Sequence, residues 1–304
     1  MSLSPRALLV LSAAAFGGTW VAAPWAVAEI PPLAVACVRF TLAAALLYAW
    51  CRYRGLRIDA RPADLPIILG VATTSVVAYN LLFLYGVQYA PPSHGAVITP
   101  GFIPVITLGL TRLVLGERFA ARQAIGAFVA LAGLAFVIGP AFAAGSNELL
   151  GDAMYVGGAL TWSLYTIIGR AATRRFNASV ITFLAAGIGA IAFFALSLVL
   201  EPGGFAAYGQ ASLQAIGGVV YLGSLGTVVP FVFFYLGVQR LGAARAAAYS
   251  VLIPLFGVAA TVTLLGEQLE PLGLAGAALV IGGLWSMQAT PGRPEAISAT
   301  TPGE

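Results

Sequence analysis

Ten apolar stretches follow one another along the chain, at roughly 7–28, 32–51, 65–87, 92–113, 120–139, 149–169, 177–200, 212–238, 243–264 and 271–289. Each approaches the ~20 residues that a helix needs to cross a bilayer. The breaks between them are short and carry turn or charge signals: "EIPP", "RYRGLRIDARPAD", "YAPPS", "GPAFAAGSNE", "RAATRRFN", "EPGGFAAYGQ". Several stretches begin just after proline, which suits the first turn of a helix. With 60% hydrophobic and 9% charged residues in 304, the chain lacks the charge to coat a soluble fold of that size. The reading is an all-α, multi-pass membrane protein. The opening "MSLSPRALLVLSAAAF" imitates a signal peptide, but the apolar run continues to Ala28 and reads as an uncleaved first span.

The arginines set the orientation. All 15 basic residues are arginine. With the N-terminus in the cytoplasm, 14 of the 15 fall on inside segments, the fifteenth, Arg39, lies within span 2, and the outside loops hold only acids, among them Glu29, Glu148, Glu201, Glu267 and Glu270. That distribution obeys the positive-inside rule and predicts both termini inside. The basic pI is therefore a matter of topology and does not point to nucleic acid. Cys37 and Cys51 suggest no disulfide framework, and a lone histidine, His94, builds no metal cluster. No cofactor, metal or catalytic residue is expected.

A short phrase occurs twice. "VLGERF" at 114–119 returns as "LLGEQL" at 264–269, and at that offset of 150 residues 96–134 match 246–284 at 11 of 39 positions, including Pro104/Pro254, Gly116/Gly266 and Glu117/Glu267. The chain reads as two five-helix repeats, 1–140 and 141–290, followed by a disordered cytoplasmic tail at 291–304. Five is odd, so the second repeat is inverted in the membrane. The first copy then keeps Arg118 at the cytoplasmic face, while the second, at the outer face, carries Gln268. Inverted repeats are the common build of secondary transporters, with the substrate site at the midplane between them.

These residues carry a family resemblance. The chain resembles the EamA-type transporters of the drug/metabolite transporter superfamily through its ten spans in two halves, "GTW" and "LTWSLYT" in the first span of each half, "VRF" with Arg39, and "LGE" closing the fourth span of each half. Within the superfamily it is most similar to bacterial aromatic amino-acid exporters. The resemblance implies an inner-membrane exporter with a central cavity and with gating by bending of spans 4 and 9. One departure stands out. Small multidrug members carry an essential glutamate in span 1, whereas "FGGTWVAAPW" has no acid.

The cavity candidates are polar or aromatic residues at mid-span: Thr19, Trp20, Tyr79, Asn80, Thr99, Trp162, Tyr165, Tyr249 and Ser250. A zwitterionic amino acid needs donors, acceptors and an apolar wall. Asn80, Tyr79 and Tyr165 suit the first two needs; Trp20 and Trp162 suit the wall and a cation–π contact. Trp25 and Trp50, near span ends, read as interface-belt residues. His94, at the outer start of span 4, reads either as a substrate-site or titrating group or as a helix-end residue bonding a carbonyl. Arg39 reads either as a partner for a substrate carboxylate or as a structural arginine that snorkels to the interface. Eight residues into its span is only ~12 Å, which favours the second. Pro100, Gly101, Pro104, Pro254 and Gly257 read as hinges. Gly126/Gly133 and Gly276/Gly283, seven apart in spans 5 and 10, read as packing faces.

No carboxylate is expected at the midplane, which argues against a carboxylate-based proton antiport. The expected function is export of amino acids, aromatic ones included, and related metabolites by facilitative alternating access. The expected partners are a small-molecule substrate and the lipid bilayer, with no nucleic acid, in a functional monomer. The alternatives are a proton-coupled exporter of other small metabolites or drugs, and a membrane scaffold that transports nothing.

Overall fold

The computed structural model describes residues 3–116, 120–144, 147–268 and 270–288. The Glu117–Arg118 pair and the tail at 291–304 lie outside the described residues. Eight helical rods are long and apolar enough to cross a membrane by length and composition: α1 (Pro5–Val27), α2 (Pro32–Tyr53), α3 (Pro62–Tyr89), α4 (Pro92–Val114), α5 (Ala121–Pro140), α7 (Ala178–Leu200), α8 (Leu213–Leu241) and α9 (Arg245–Leu265). The more polar α6 (Glu148–Arg175) and the shorter apolar α10 (Pro271–Met287) bring the described helical rods to ten.

Local chemistry explains the ends. Ser4 accepts from the Ala7 N–H and Ser212 from the Ala215 N–H, as N-caps do. Acids serve other helix starts from a distance. Glu201 accepts from the Leu33 and Ala34 N–H groups at the head of α2, at 2.9 and 3.3 Å. Glu267 accepts from the Ser93 N–H at the head of α4, at 3.0 Å. The repeated "LG" has a plain cause. Gly116 and Gly266 each end a helix with φ of 66° and 71°, a left-handed conformation that costs glycine nothing.

Among the described helices, α3, α8 and α9 depart from regular α-helical turns, α9 in a 3-10 turn and a π stretch at Thr261–Leu265. The ladder of α3 widens into π turns over Ala72–Ala78, and that of α8 over Ser224–Val228. A π turn shifts which N–H each carbonyl meets, and side chains add further bonds there. Asn80 Nδ2 donates to the Val76 carbonyl at 2.7 Å, and Thr227 Oγ1 to the Leu222 carbonyl at 2.7 Å. In α9 a tight 3-10 turn, Tyr249–Val251, precedes Pro254.

The helices pack in a repeating pattern. α1 lies on α8 and α9, and α6 lies on α3 and α4; α2 packs on α7, α4 on α9 and α5 on α10. Replacing each helix by the one five places on returns the same set of pairs. The α5–α10 contact is made by small residues. A Cβ on Gly133 would stand 2.6 Å from the Gly276 carbonyl oxygen, and one on Gly126 would stand 2.7 Å from that of Gly283. One number falls as the other rises, so α5 and α10 run antiparallel. Cys37 and Cys51 are buried and unbridged.

Candidate substrate site

A cavity of about 140 Å³ lies between the two halves of the chain. At roughly 10–15 Å³ for each water-sized group, it holds on the order of ten such groups, the size of a single amino acid. Its wall is largely apolar. α1 contributes Phe16, Thr19 and Trp20; α3 contributes Ser75, Tyr79, Asn80 and Phe83; α6 contributes Trp162 and Tyr165; α8 contributes Thr227 and Phe231. Arg39 and Phe40 of α2, Thr99, Pro100 and Ile103 of α4, Thr182 of α7 and Ile253 of α9 also line it. The Gly126–Gly283 and Gly133–Gly276 contacts hold α5 and α10 together away from this lining.

The aromatic wall is built edge to face. Trp162 meets Tyr79 at 4.9 Å and Tyr165 at 5.2 Å between ring centroids, and stacks on Phe231 at 6.2 Å. Trp20 meets Phe83 at 4.9 Å and Tyr155 at 5.4 Å, also edge to face. Such pairs favour this geometry because ring edges are positive and faces negative. Trp20, Tyr155 and Gly95 fit so closely that a Cβ on Gly95 would overlap both rings. This plug separates the cavity from the first turns of α4 and α6.

Of the residues expected from sequence, Thr19, Trp20, Tyr79, Asn80, Thr99, Trp162 and Tyr165 lie around this cavity. His94, Tyr249 and Ser250 do not. Tyr249 and Ser250 sit only about one helical turn, ~6–8 Å, inside the start of α9, too shallow to reach it. Ile253, a turn deeper, takes that place. His94 is the third residue of α4 and faces a second recess of about 510 Å³ at the helix heads, lined also by Glu148, Glu267 and Glu270. There its Nδ1 lies 3.1 Å from Asp152 Oδ1, so its partner is a carboxylate and not a backbone carbonyl. Asp152 itself is only 1% exposed. Of the hinge candidates, Pro100 lines the cavity. Gly101 abuts Val280 and Leu134, and Gly257 abuts Ala96 and Trp20. Pro104 lies inside α4, and Pro254 is buried in α9.

Arg39 departs most from the sequence reading. Its guanidinium does not snorkel. It lies in the cavity wall, 6% exposed, and spans the two π turns. Nη1 donates to Asn80 Oδ1 at 2.7 Å; Nε and Nη2 donate to Thr227 Oγ1 at 3.3 and 3.2 Å. The ring of Phe40 lies 5.0 Å from the guanidinium carbon. No signal in α2 itself announces this, because both partners come from bulges in distant helices. Thr227, Phe16, Phe83 and Phe231 are further lining residues that mid-span depth and polarity did not single out.

Ten helical rods around an aromatic-walled cavity define a multi-pass membrane transport protein. The chain belongs to the EamA-like transporter family, whose model matches it twice, over 5–139 and 149–287. It is 30% identical over 267 residues to a "probable terminal-alkyne amino-acid exporter" of Streptantibioticus cattleyicolor, covering 87% of this chain and 86% of that one. It is 25% identical to a "probable amino-acid metabolite efflux pump" of Escherichia coli, covering 94% and 95%. A solved crystal structure superposes with a TM-score of 0.68 at 20% identity, covering 93% of this chain and 98% of that one, a likeness that shows the fold.

Proposed function

We propose that this protein exports amino acids, aromatic ones included, and related metabolites across a bacterial inner membrane by facilitative alternating access. The observation that carries the reading is the cavity itself. It sits between the two halves, is of amino-acid size, and is walled by Trp162, Tyr79, Tyr165 and Phe231. In this reading all ten helices span the bilayer, both termini are cytoplasmic, and the halves are inverted. Support comes from the double family match, the antiparallel α5–α10 contact, the symmetric pairing of helices and the one-sided arginines. The α4 and α9 prolines serve as hinges, and a monomer holds one complete pathway. The names of these two relatives agree with export of amino acids.

The test is counterflow in proteoliposomes loaded with unlabelled phenylalanine, tryptophan, threonine or glutamate, each with and without a pH gradient. Saturable exchange of the aromatic substrates, equal in both conditions, is expected. No exchange of any amino acid overturns the reading. One observation favours the proton-coupled alternative: the carboxylate of Asp152 is buried against His94. Strong dependence on the gradient, lost in Asp152→Asn, would replace facilitation by coupling.

A further inference from the structure

The cavity holds a buried cation without a counter-charge. Among the described lining residues there is no aspartate or glutamate, and Arg39 is bonded only to the neutral Asn80 and Thr227. A guanidinium has five N–H groups. Each of its three nitrogens spends one on these bonds, which leaves two for a guest. A charge removed from water without an ionic partner is costly, so the chamber favours whatever brings the missing anion.

The other polar groups point the same way. The hydroxyls of Ser75, Thr19 and Thr182 donate to carbonyls of their own helices, and that of Thr99 donates to the Tyr155 carbonyl. Their hydrogens are spent. The hydroxyls of Tyr79 and Tyr165 make no hydrogen bond with another described residue. Both are donors as well as acceptors. An ammonium group finds ring faces and hydroxyl lone pairs here, but no carboxylate, and it shares a low-dielectric chamber with Arg39, which repels it.

We propose that Arg39 takes the carboxylate of the substrate and that the site makes no ion pair with an ammonium. Its substrate class is then amphiphilic monocarboxylates: aromatic and apolar 2-oxo acids, 2-hydroxy acids and N-acylated amino acids, as well as amino acids. The proposal rests on the transport reading above and deepens it. The carboxylate anchors on Arg39 between α3 and α8, while the apolar body lies against Trp162 and Phe231.

The test uses the wild-type protein in proteoliposomes. Labelled phenylalanine and labelled phenylpyruvate are each measured in counterflow, with phenylpyruvate, N-acetylphenylalanine and phenethylamine as competitors. Both acids should compete at least as well as phenylalanine. Phenethylamine should be weaker by about tenfold or more, the ratio expected when a charge-assisted hydrogen bond gives way to repulsion. Phenylalanine exchange with the amine competing as well as the acids overturns this proposal and leaves the amino-acid exporter standing. Phenylpyruvate exchange without phenylalanine exchange does the reverse. Exchange of neither overturns both. Arg39→Gln should erase the preference for acids over the amine, and Arg39→Lys should retain part of it.

Discussion

Asn80 has two tasks at once. It accepts from Arg39 and donates to the Val76 carbonyl, which also accepts from the Tyr79 N–H. Removing it leaves a buried guanidinium N–H unmet, at a cost of about 1–3 kcal/mol. Asn80→Ala should therefore lower the melting temperature in detergent as well as transport. Asn80→Asp makes a sharper test. It gives Arg39 the anion it lacks, so the protein should stay folded while the anchoring site is filled from within. Measured exchange should fall well below wild type with no loss of thermal stability; unchanged exchange would remove Arg39 from the site. At the surface, Glu29 accepts from the Ser212 hydroxyl and backbone N–H, both at 2.6 Å. Those bonds, the hydroxyl's first, hold its carboxyl below the usual range. Stability gained this way is fully present above the ordinary glutamate value and lost as pH falls through the lowered one. Melting curves taken from neutral into acid should show a shallower fall for Glu29→Gln than for wild type.

At the scale of the helix, the α5–α10 contact shows why glycine recurs at offset 150. Both faces must admit a backbone carbonyl where a Cβ would stand. Gly133→Leu or Gly276→Leu should force the pair apart and cost about 3 kcal/mol, the upper end for overpacking, since backbone cannot yield as a side chain does. Gly139→Ala in the same helix meets nothing within 4 Å and should leave the melting temperature unchanged. This part of the molecule was legible in the sequence, because a small-residue face has a period that survives without knowledge of its partner. Most helix limits were legible too, since prolines and arginines mark the ends of the apolar runs, though α6 runs on to Arg175. The π turns in α3 and α8 were not. One extra residue in a helical turn leaves no trace in hydropathy, yet it positions Asn80 and Thr227. For the same reason Arg39 read as an arginine snorkelling from its own helix end, a distance argument that cannot see two bulges converging on it. Tyr249 was misplaced by depth, because it lies about one turn inside the start of α9 and not at mid-span.

Across the whole molecule, charge and helix direction agree. Acids meet the heads of α2, α4 and α8, through Glu201, Glu267 and Glu29. Arginines occupy the last turns of α2, α4, α6 and α8, as Arg52, Arg112, Arg174 with Arg175, and Arg240. Both placements are favourable to the helix dipole. They also put these arginines at one end of their helices and the three glutamates at the other, which the positive-inside rule translates into a direction in the membrane. The proposed inverted arrangement then has a direct consequence. In that reading the loop after α2 and the loop before α8 lie on opposite faces. Arg57 and Gly209 are exposed in those loops, and the two native cysteines are buried. In intact cells, a membrane-impermeant maleimide should label Gly209→Cys and spare Arg57→Cys until the membrane is opened. Labelling of both in intact cells, or the reverse order, would overturn the orientation. If the order holds, the Trp20–Tyr155–Gly95 plug lies on the outer side of the cavity. Gly95→Ala would then wedge the plug. It should raise labelling of a cysteine placed at Thr99 from outside and lower the exchange rate, since a gate that cannot close on one side cannot alternate.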